Sequence, residues 1–201
     1  MERVSYDVIT PSAARGILEA IYWKPAIYWI IDKIHVINPI RFDNIRRNER
    51  SGKISTDKIK NAMMGAVISL CQDGSEPAVQ RASLVLRDVC YCIDAHFEMT
   101  DKAGVDDSPE KHYNIATRRM RKGQCYHHPY FGCREFPVQF ELIEGEPPQS
   151  CYHGKKEGTR ELGIMLYDID FRDNMKAIFF RASMVDGIID VQMCLEQGIY
   201  S

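Results

Sequence analysis

The sequence predicts an α+β fold built on an antiparallel sheet, and three observations carry that prediction. Two segments, one following Thr10 and one following Ser108, have the caps and apolar spacing of amphipathic helices. Between and after them lie runs rich in Ile, Val, Tyr and Phe, of strand length. Asp186-Gly187 separates two such runs near the C-terminus, which is the composition of a tight hairpin turn. Helices that do not alternate regularly with strands favour α+β over a parallel α/β sheet.

Taken in order, Thr10-Pro11-Ser12 opens the first helix: Thr10 can cap it and Pro11 suits its first position. Ala14, Ile17, Leu18 and Ile21 then form one apolar face, and Pro25 stops the helix after Tyr22-Trp23. Ala26 to Ile37 reads as a buried strand that Pro39 ends. Residues 40–54 are polar and carry Arg41, Arg46, Arg47, Arg50 and Lys53, so a mobile basic loop is expected. Ser55 to Leu70 reads as a helix, broken by Asp73-Gly74-Ser75. Ala82 to Met99 reads as one long strand. Ser108-Pro109-Glu110 starts a second well-marked helix that ends at Gly123. Val138 to Ile143 is expected as a strand and Gly145 to Gly158 as a loop. Gly163–Phe171 and Lys176–Met184 follow as strands, and Ile188–Met193 as the return of a hairpin.

The bulk composition excludes several classes. Hydrophobic residues at 45% and charged residues at 27% describe a soluble globular chain of 201 residues. No run approaches the ~20 apolar residues of a spanning helix, and the N-terminus has no apolar signal segment. A cytoplasmic protein with no membrane partner is therefore expected. Seven cysteines read as reduced thiols. Cys125, His127, His128, Cys133, Cys151 and His153 do not have the spacing of a standard zinc finger, so no metal or other cofactor is assigned. A net charge of −2 means that any polyanion site must be a local patch.

The chemistry-bearing constellation is Lys111-His112, read with Tyr22. An imidazole titrates in the range useful for acid–base work, a lysine can hold a phosphate, and a tyrosine supplies a further hydroxyl. That set suits metal-free cleavage of RNA by its own 2′-hydroxyl. On residue types alone, the commoner reading is that His112 and Tyr113 are first-turn helix residues packed on a sheet, with Lys111 solvated. Arg118, Arg119, Arg121 and Lys122 lead out of the same helix. They either grip an RNA backbone or complement the helix C-terminus.

Five segments read together resemble a known family. They are Tyr6-Asp7-Val8-Ile9-Thr10-Pro11-Ser12-Ala13-Ala14-Arg15-Gly16, Glu19-Ala20-Ile21-Tyr22-Trp23-Lys24-Pro25, Leu86-Arg87-Asp88-Val89, Lys111-His112-Tyr113, and Phe131-Gly132-Cys133-Arg134-Glu135-Phe136. In order over nearly the whole chain they are similar to the CRISPR-associated Cas-five family, Dvulg subtype, of type I-C systems. The resemblance implies a ferredoxin-like, RNA-recognition-type core over residues 1–125, helices on one face, and a small β-rich part over 126–201. It implies a metal-independent, sequence-specific endoribonuclease that cuts precursor CRISPR RNA within the repeat by 2′-OH attack. The enzyme is then retained on the 5′ handle within the type I-C Cascade complex. The implied partners are the repeat hairpin, the 5′ handle, and the backbone and large subunits of that complex.

Carried onto this sequence, the catalytic residues fall on Tyr22, Lys111 and His112, with the choice of general base and general acid open. The RNA-binding candidates are Lys24, Arg46, Arg47, Arg118, Arg119, Arg121, Lys122 and Arg134. Family members open with a strand before the segment matching Glu2-Arg3-Val4-Ser5-Tyr6, so the sheet is expected to lack its first strand. A non-catalytic subunit that only holds the crRNA handle is the alternative this departure raises.

Overall fold

In the computed structural model, which describes residues 3–50, 55–67, 78–171 and 173–200, the chain is α+β with mainly antiparallel sheets. Its elements are β1 (Arg3–Val4), α1 (Pro11–Ile21), β2 (Ile27–Val36), β3 (Phe42–Arg50), α2 (Thr56–Met63), β4 (Ala78–Leu86) and β5 (Tyr91–Met99). Then follow α3 (Pro109–Arg121), β6 (Arg160–Asp170), β7 (Lys176–Met184), β8 (Ile188–Asp190), α4 (Val191–Glu196) and β9 (Ile199–Tyr200). Lys53 of the expected loop, the expected helical end at Leu70 and the Asp73-Gly74-Ser75 break lie outside the described residues. No helix among the described residues is long and apolar enough to cross a membrane.

Two compact units divide the chain: Met1–Ser5 with Arg41–Arg87, and Tyr6–Ile40 with Asp88–Ser201. In the smaller unit β3 and β4 form an antiparallel ribbon from Phe42↔Leu86 to Arg50↔Ala78, and β1 adds to β4 in parallel. The expected basic loop is therefore a strand. A ribbon exposed along much of its length is held by its backbone ladder and needs no run of apolar residues. Hydrophobic periodicity does not register such a strand. Ser55 caps α2 by accepting from Lys58 N–H at 3.1 Å.

The single strand expected over Ala82–Met99 is two strands in different units. The break falls at Asp88, whose φ of 53° lies in the left-handed region that a short polar side chain tolerates.

The larger unit holds the core. Its first sheet has the order β5-β2-β8, all antiparallel, with Ile27 opposite Met99 and Val36 opposite Tyr91. Among the described residues β5 pairs only with β2, which leaves its other edge open. The second sheet has the order β6-β7-β9. Ala14, Ile17 and Ile21 of α1 join Ile27, Ile31 and Ile34 of β2 and Met165, Phe180 and Met184 of the second sheet in one cluster. Each large side chain removed from water there contributes about 1.5–3 kcal/mol.

Two expectations are corrected in this unit. Residues 138–143 form no ladder; the segment is tied by the isolated bridge Tyr130↔Pro137 and by Val138 N–H donating to Pro129 O at 2.9 Å. Pro137 has no N–H with which to extend a ladder. The hairpin return is also shorter than expected: β8 pairs with β2, and Val191 already begins α4, capped by Asp190. Gly187 permits this turn. Its φ is +80°, and a Cβ there would stand 2.2 Å from Ser150 Oγ.

Candidate active site

Two helix ends bring the candidate groups together. Thr10 caps α1 by accepting from Ala13 N–H, and the helix ends where Tyr22 turns extended. The Tyr22 carbonyl is fixed by the Trp29 indole N–H at 2.8 Å, so the position of the phenol is set by β2 as well as by α1. Ser108 caps α3 by accepting from Lys111 N–H, with Pro109 at the helix start. This places Lys111 and His112 in the first turn.

The Tyr22 hydroxyl and His112 Nδ1 are hydrogen-bonded at 2.7 Å. Both side chains are enclosed: Tyr22 is 2% exposed and His112 1%. The Phe97 ring of β5 meets the imidazole edge-on at 6.4 Å. When Nδ1 is unprotonated the phenol donates to it, and the imidazole N–H lies at Nε2. Asp107 Oδ1 stands 3.2 Å from that Nε2, off the line of a hydrogen bond.

Lys111 is exposed and directs its ammonium toward the Asp106 carbonyl at 3.0 Å and Asp107 Oδ1 at 3.5 Å. Asp107 is thus shared by both members of the Lys-His pair. The Gly104 N–H and the Lys111 ammonium hold its carboxyl below the ordinary value. Sequence reading missed Asp107; its only signal is an acid immediately before the capping Ser108.

Arg119, one of the RNA-binding candidates, reaches back to the end of α1. It donates to the Ile21 carbonyl at 2.8 Å, and its guanidinium carbon lies 5.2 Å from the Tyr22 ring centroid. Burial, partly offset by Arg119 and reinforced by Asp107, pushes the Tyr22 phenol above its ordinary value. A phenol so placed stays protonated at neutral pH and can give a proton or orient a hydroxyl.

The remaining basic candidates are dispersed. Arg118, Lys122 and Arg134 are exposed, and Arg121 pairs with Glu144 at 2.5 Å. Lys24 is exposed beside Tyr22 and makes no ion pair among the described residues. Arg46 and Arg47 lie on β3 in the smaller unit. That unit has ten Lys and Arg against six Asp and Glu, whereas the larger has sixteen against twenty-two. The near-neutral total therefore conceals a basic module.

The α+β frame and the paired Tyr22 and His112 define a class, and comparison with known proteins identifies it. The chain belongs to the Cas5 family of CRISPR-associated proteins, type I-C subtype: the model of that family, CRISPR-associated protein (Cas_Cas5) in its Cas5d form, matches residues 1–192. It is 52% identical over 193 residues to the CRISPR pre-crRNA endoribonuclease Cas5d of Mannheimia succiniciproducens, covering 95% of this chain and 86% of that protein. It is 38% identical over 171 residues to the protein of the same name from Thermus thermophilus, covering 85% of this chain and 66% of that one. A crystal structure of a CRISPR-associated protein superposes with a TM-score of 0.69 at 26% identity, over 99% of this chain and 88% of the other. A functionally uncharacterized protein from Streptococcus mutans shares the fold, with a TM-score of 0.63 at 24% identity, over 98% and 87% of the two chains.

Proposed function

We propose that this chain is a pre-crRNA endoribonuclease that cuts within the CRISPR repeat without a metal and then stays on the 5′ handle in the type I-C Cascade complex. The carrying observation is the Tyr22–His112 hydrogen bond beside Lys111, in a chain 52% identical to a protein of that name. A ferredoxin-like reading of the RNA-binding core accords with the succession α1, β2, β5, α3, in which β2 and β5 are antiparallel neighbours.

In the proposed reaction the 2′-oxygen attacks the adjacent phosphorus and loses its proton to a base. The bond from phosphorus to the 5′-oxygen breaks, and an acid protonates that oxygen. The products are a 2′,3′-cyclic phosphate and a 5′-hydroxyl. Acid–base help of this kind is worth about 10²–10⁴-fold in rate. His112 is assigned proton transfer, Tyr22 orients or protonates through its hydroxyl, and Lys111 neutralises the charge that gathers on the phosphate. The scissile phosphate would compete with Asp107 for the Lys111 ammonium. Lys24, Arg46, Arg47, Arg118, Arg121, Lys122 and Arg134 are assigned to the RNA backbone.

The burial of Tyr22 and His112 favours a second reading, a subunit that holds the handle and cleaves nothing. One experiment separates the two: purified protein is incubated with a type I-C repeat hairpin in EDTA. Cleavage with a 2′,3′-cyclic phosphate end, lost in His112→Ala, supports the nuclease. Binding without product, or cleavage undiminished in His112→Ala, overturns it.

A further inference from the structure

A cleft of about 460 Å³ opens beside Tyr22, lined by the 22–25 turn, by α1, by Arg119 of α3 and by residues 126–127. Tyr126 and His127 are held against α1 because both backbone N–H groups donate to the Ala20 carbonyl, at 2.9 and 3.3 Å. Gly16 lines the cleft where it opens to solvent, and an added Cβ there would meet nothing within 4 Å. The volume lies within the range of small-ligand sites.

The lining is unusual for a surface without a ligand. Trp23 is 52% exposed and Tyr126 83% exposed. The chain's other tryptophan, Trp29, is buried and bonded to the Tyr22 carbonyl. Lys24 adds an ammonium with no ion pair among the described residues, and the one carboxylate on the rim, Glu19, lies 3.5 Å from the Arg15 guanidinium. Two exposed aromatic rings and a cation with no ion pair among the described residues, lining one cleft, are what a nucleotide needs. Its base can stack on an indole or phenol, and its phosphate can meet the ammonium.

We propose that this cleft seats one nucleotide next to the scissile phosphate, its base stacked on Trp23 or Tyr126 and its phosphate against Lys24. This rests on the reading of RNA as the substrate. It adds a subsite that fixes register: a base held beside Tyr22 brings one particular 2′-hydroxyl to the Tyr22–His112 pair, and its neighbours stay out of reach.

The test is a tryptophan-fluorescence titration with an uncleavable repeat RNA carrying 2′-O-methyl riboses. Emission should be quenched on binding, and Trp23→Phe should remove most of the quench, since Trp29 is enclosed. Trp23→Ala or Tyr126→Ala should weaken binding by roughly 5- to 100-fold, the scale of one base–aromatic stack. Circular dichroism melts of each variant check the fold. Binding that leaves the emission of the unsubstituted chain unchanged, with both alanine variants at its affinity, overturns the subsite while the RNA reading stands. No binding at all overturns both.

Discussion

Asp107 Oδ1 stands 3.2 Å from His112 Nε2, off the line of a hydrogen bond, while Tyr22 is hydrogen-bonded to the opposite ring nitrogen, so the imidazole lies between a phenol and a carboxylate. The phenol comes from the end of α1 and the carboxylate from the loop that leads into α3. Neither contact is local to His112 on the helix itself, and each can be removed separately.

Asp107→Asn keeps the size of the side chain and removes its charge. The residue lies outside the core, and the Ser108 cap of α3 is untouched, so the melting temperature should change little. Cleavage should slow by roughly 10-fold or more through loss of the carboxylate charge that favours a protonated His112 during proton transfer. Single-turnover kinetics on the repeat hairpin, set beside thermal melts, measures both.

Tyr22→Phe retains the ring under Arg119 and removes only the hydroxyl. The His112 nitrogen left without a partner costs roughly 1–3 kcal/mol. The cleavage rate should fall by about 10²-fold, within the range for a lost acid–base group. If the rate stays within threefold of the unsubstituted chain at saturating RNA, Tyr22 has no part in the chemistry.

Two turns before Tyr22, Arg15 of α1 makes a two-pronged ion pair with Asp168 of β6, its second nitrogen at 2.6 Å, and also bonds Tyr28. Burial alone would raise the Asp168 carboxyl, but the Arg15 hydrogen bonds outweigh it and the net shift is downward. A carboxyl depressed on folding stabilises the protein above its unfolded value of ~3.9 and loses that contribution as pH falls below it. Melting temperature should therefore drop steeply below about pH 4, and Asp168→Asn should flatten that slope. Arg15→Ala should cost roughly 1.5–3 kcal/mol near neutral pH, read from urea denaturation.

Gly187→Ala tests the turn that sends β8 back to β2. A Cβ would overlap Ser150 Oγ and sit at a strained φ. Denaturant unfolding should show a loss of roughly 2–4 kcal/mol, at the severe end for one substitution. Pairing it with Ser150→Gly should recover only the part due to overlap.

The basic ribbon makes an electrostatic prediction. If Arg46 and Arg47 each contact one phosphate, replacing both by Ala should lower the slope of log affinity against log salt by about 1.4. Filter binding at several salt concentrations reads it. An unchanged slope excludes both residues from the backbone contacts.

Much of this architecture was legible because it is local. Thr10 and Ser108 announce their helices through side-chain oxygens that cap the first turn, and the apolar run of β2 announces its burial. The ribbon strand β3 was not legible, because Arg46, Arg47 and Asn48 give no apolar alternation and its partner lies far along the chain. The Asp88 break hid inside a continuous run because a single left-handed residue leaves no trace in composition. Within the site, Tyr22 and His112 could be paired only by resemblance, since ninety residues separate them. Asp107 is a local neighbour of Lys111 at i,i+4 spacing, but its approach to the His112 ring needs the folded loop, and the contact of Arg119 with the Ile21 carbonyl spans 98 residues that no spacing rule bridges.

The smaller unit enters the chain between two strands that are already neighbours. Val36 stands opposite Tyr91, Ile37 N–H donates to Cys90 O at 3.0 Å, and Asn38 reaches the Asp88 carbonyl at 2.9 Å. The excursion over residues 41–87 thus leaves and returns through one stitched doorway. A change in the length or charge of that excursion therefore leaves intact the ladder that sets Trp29, and through it Tyr22.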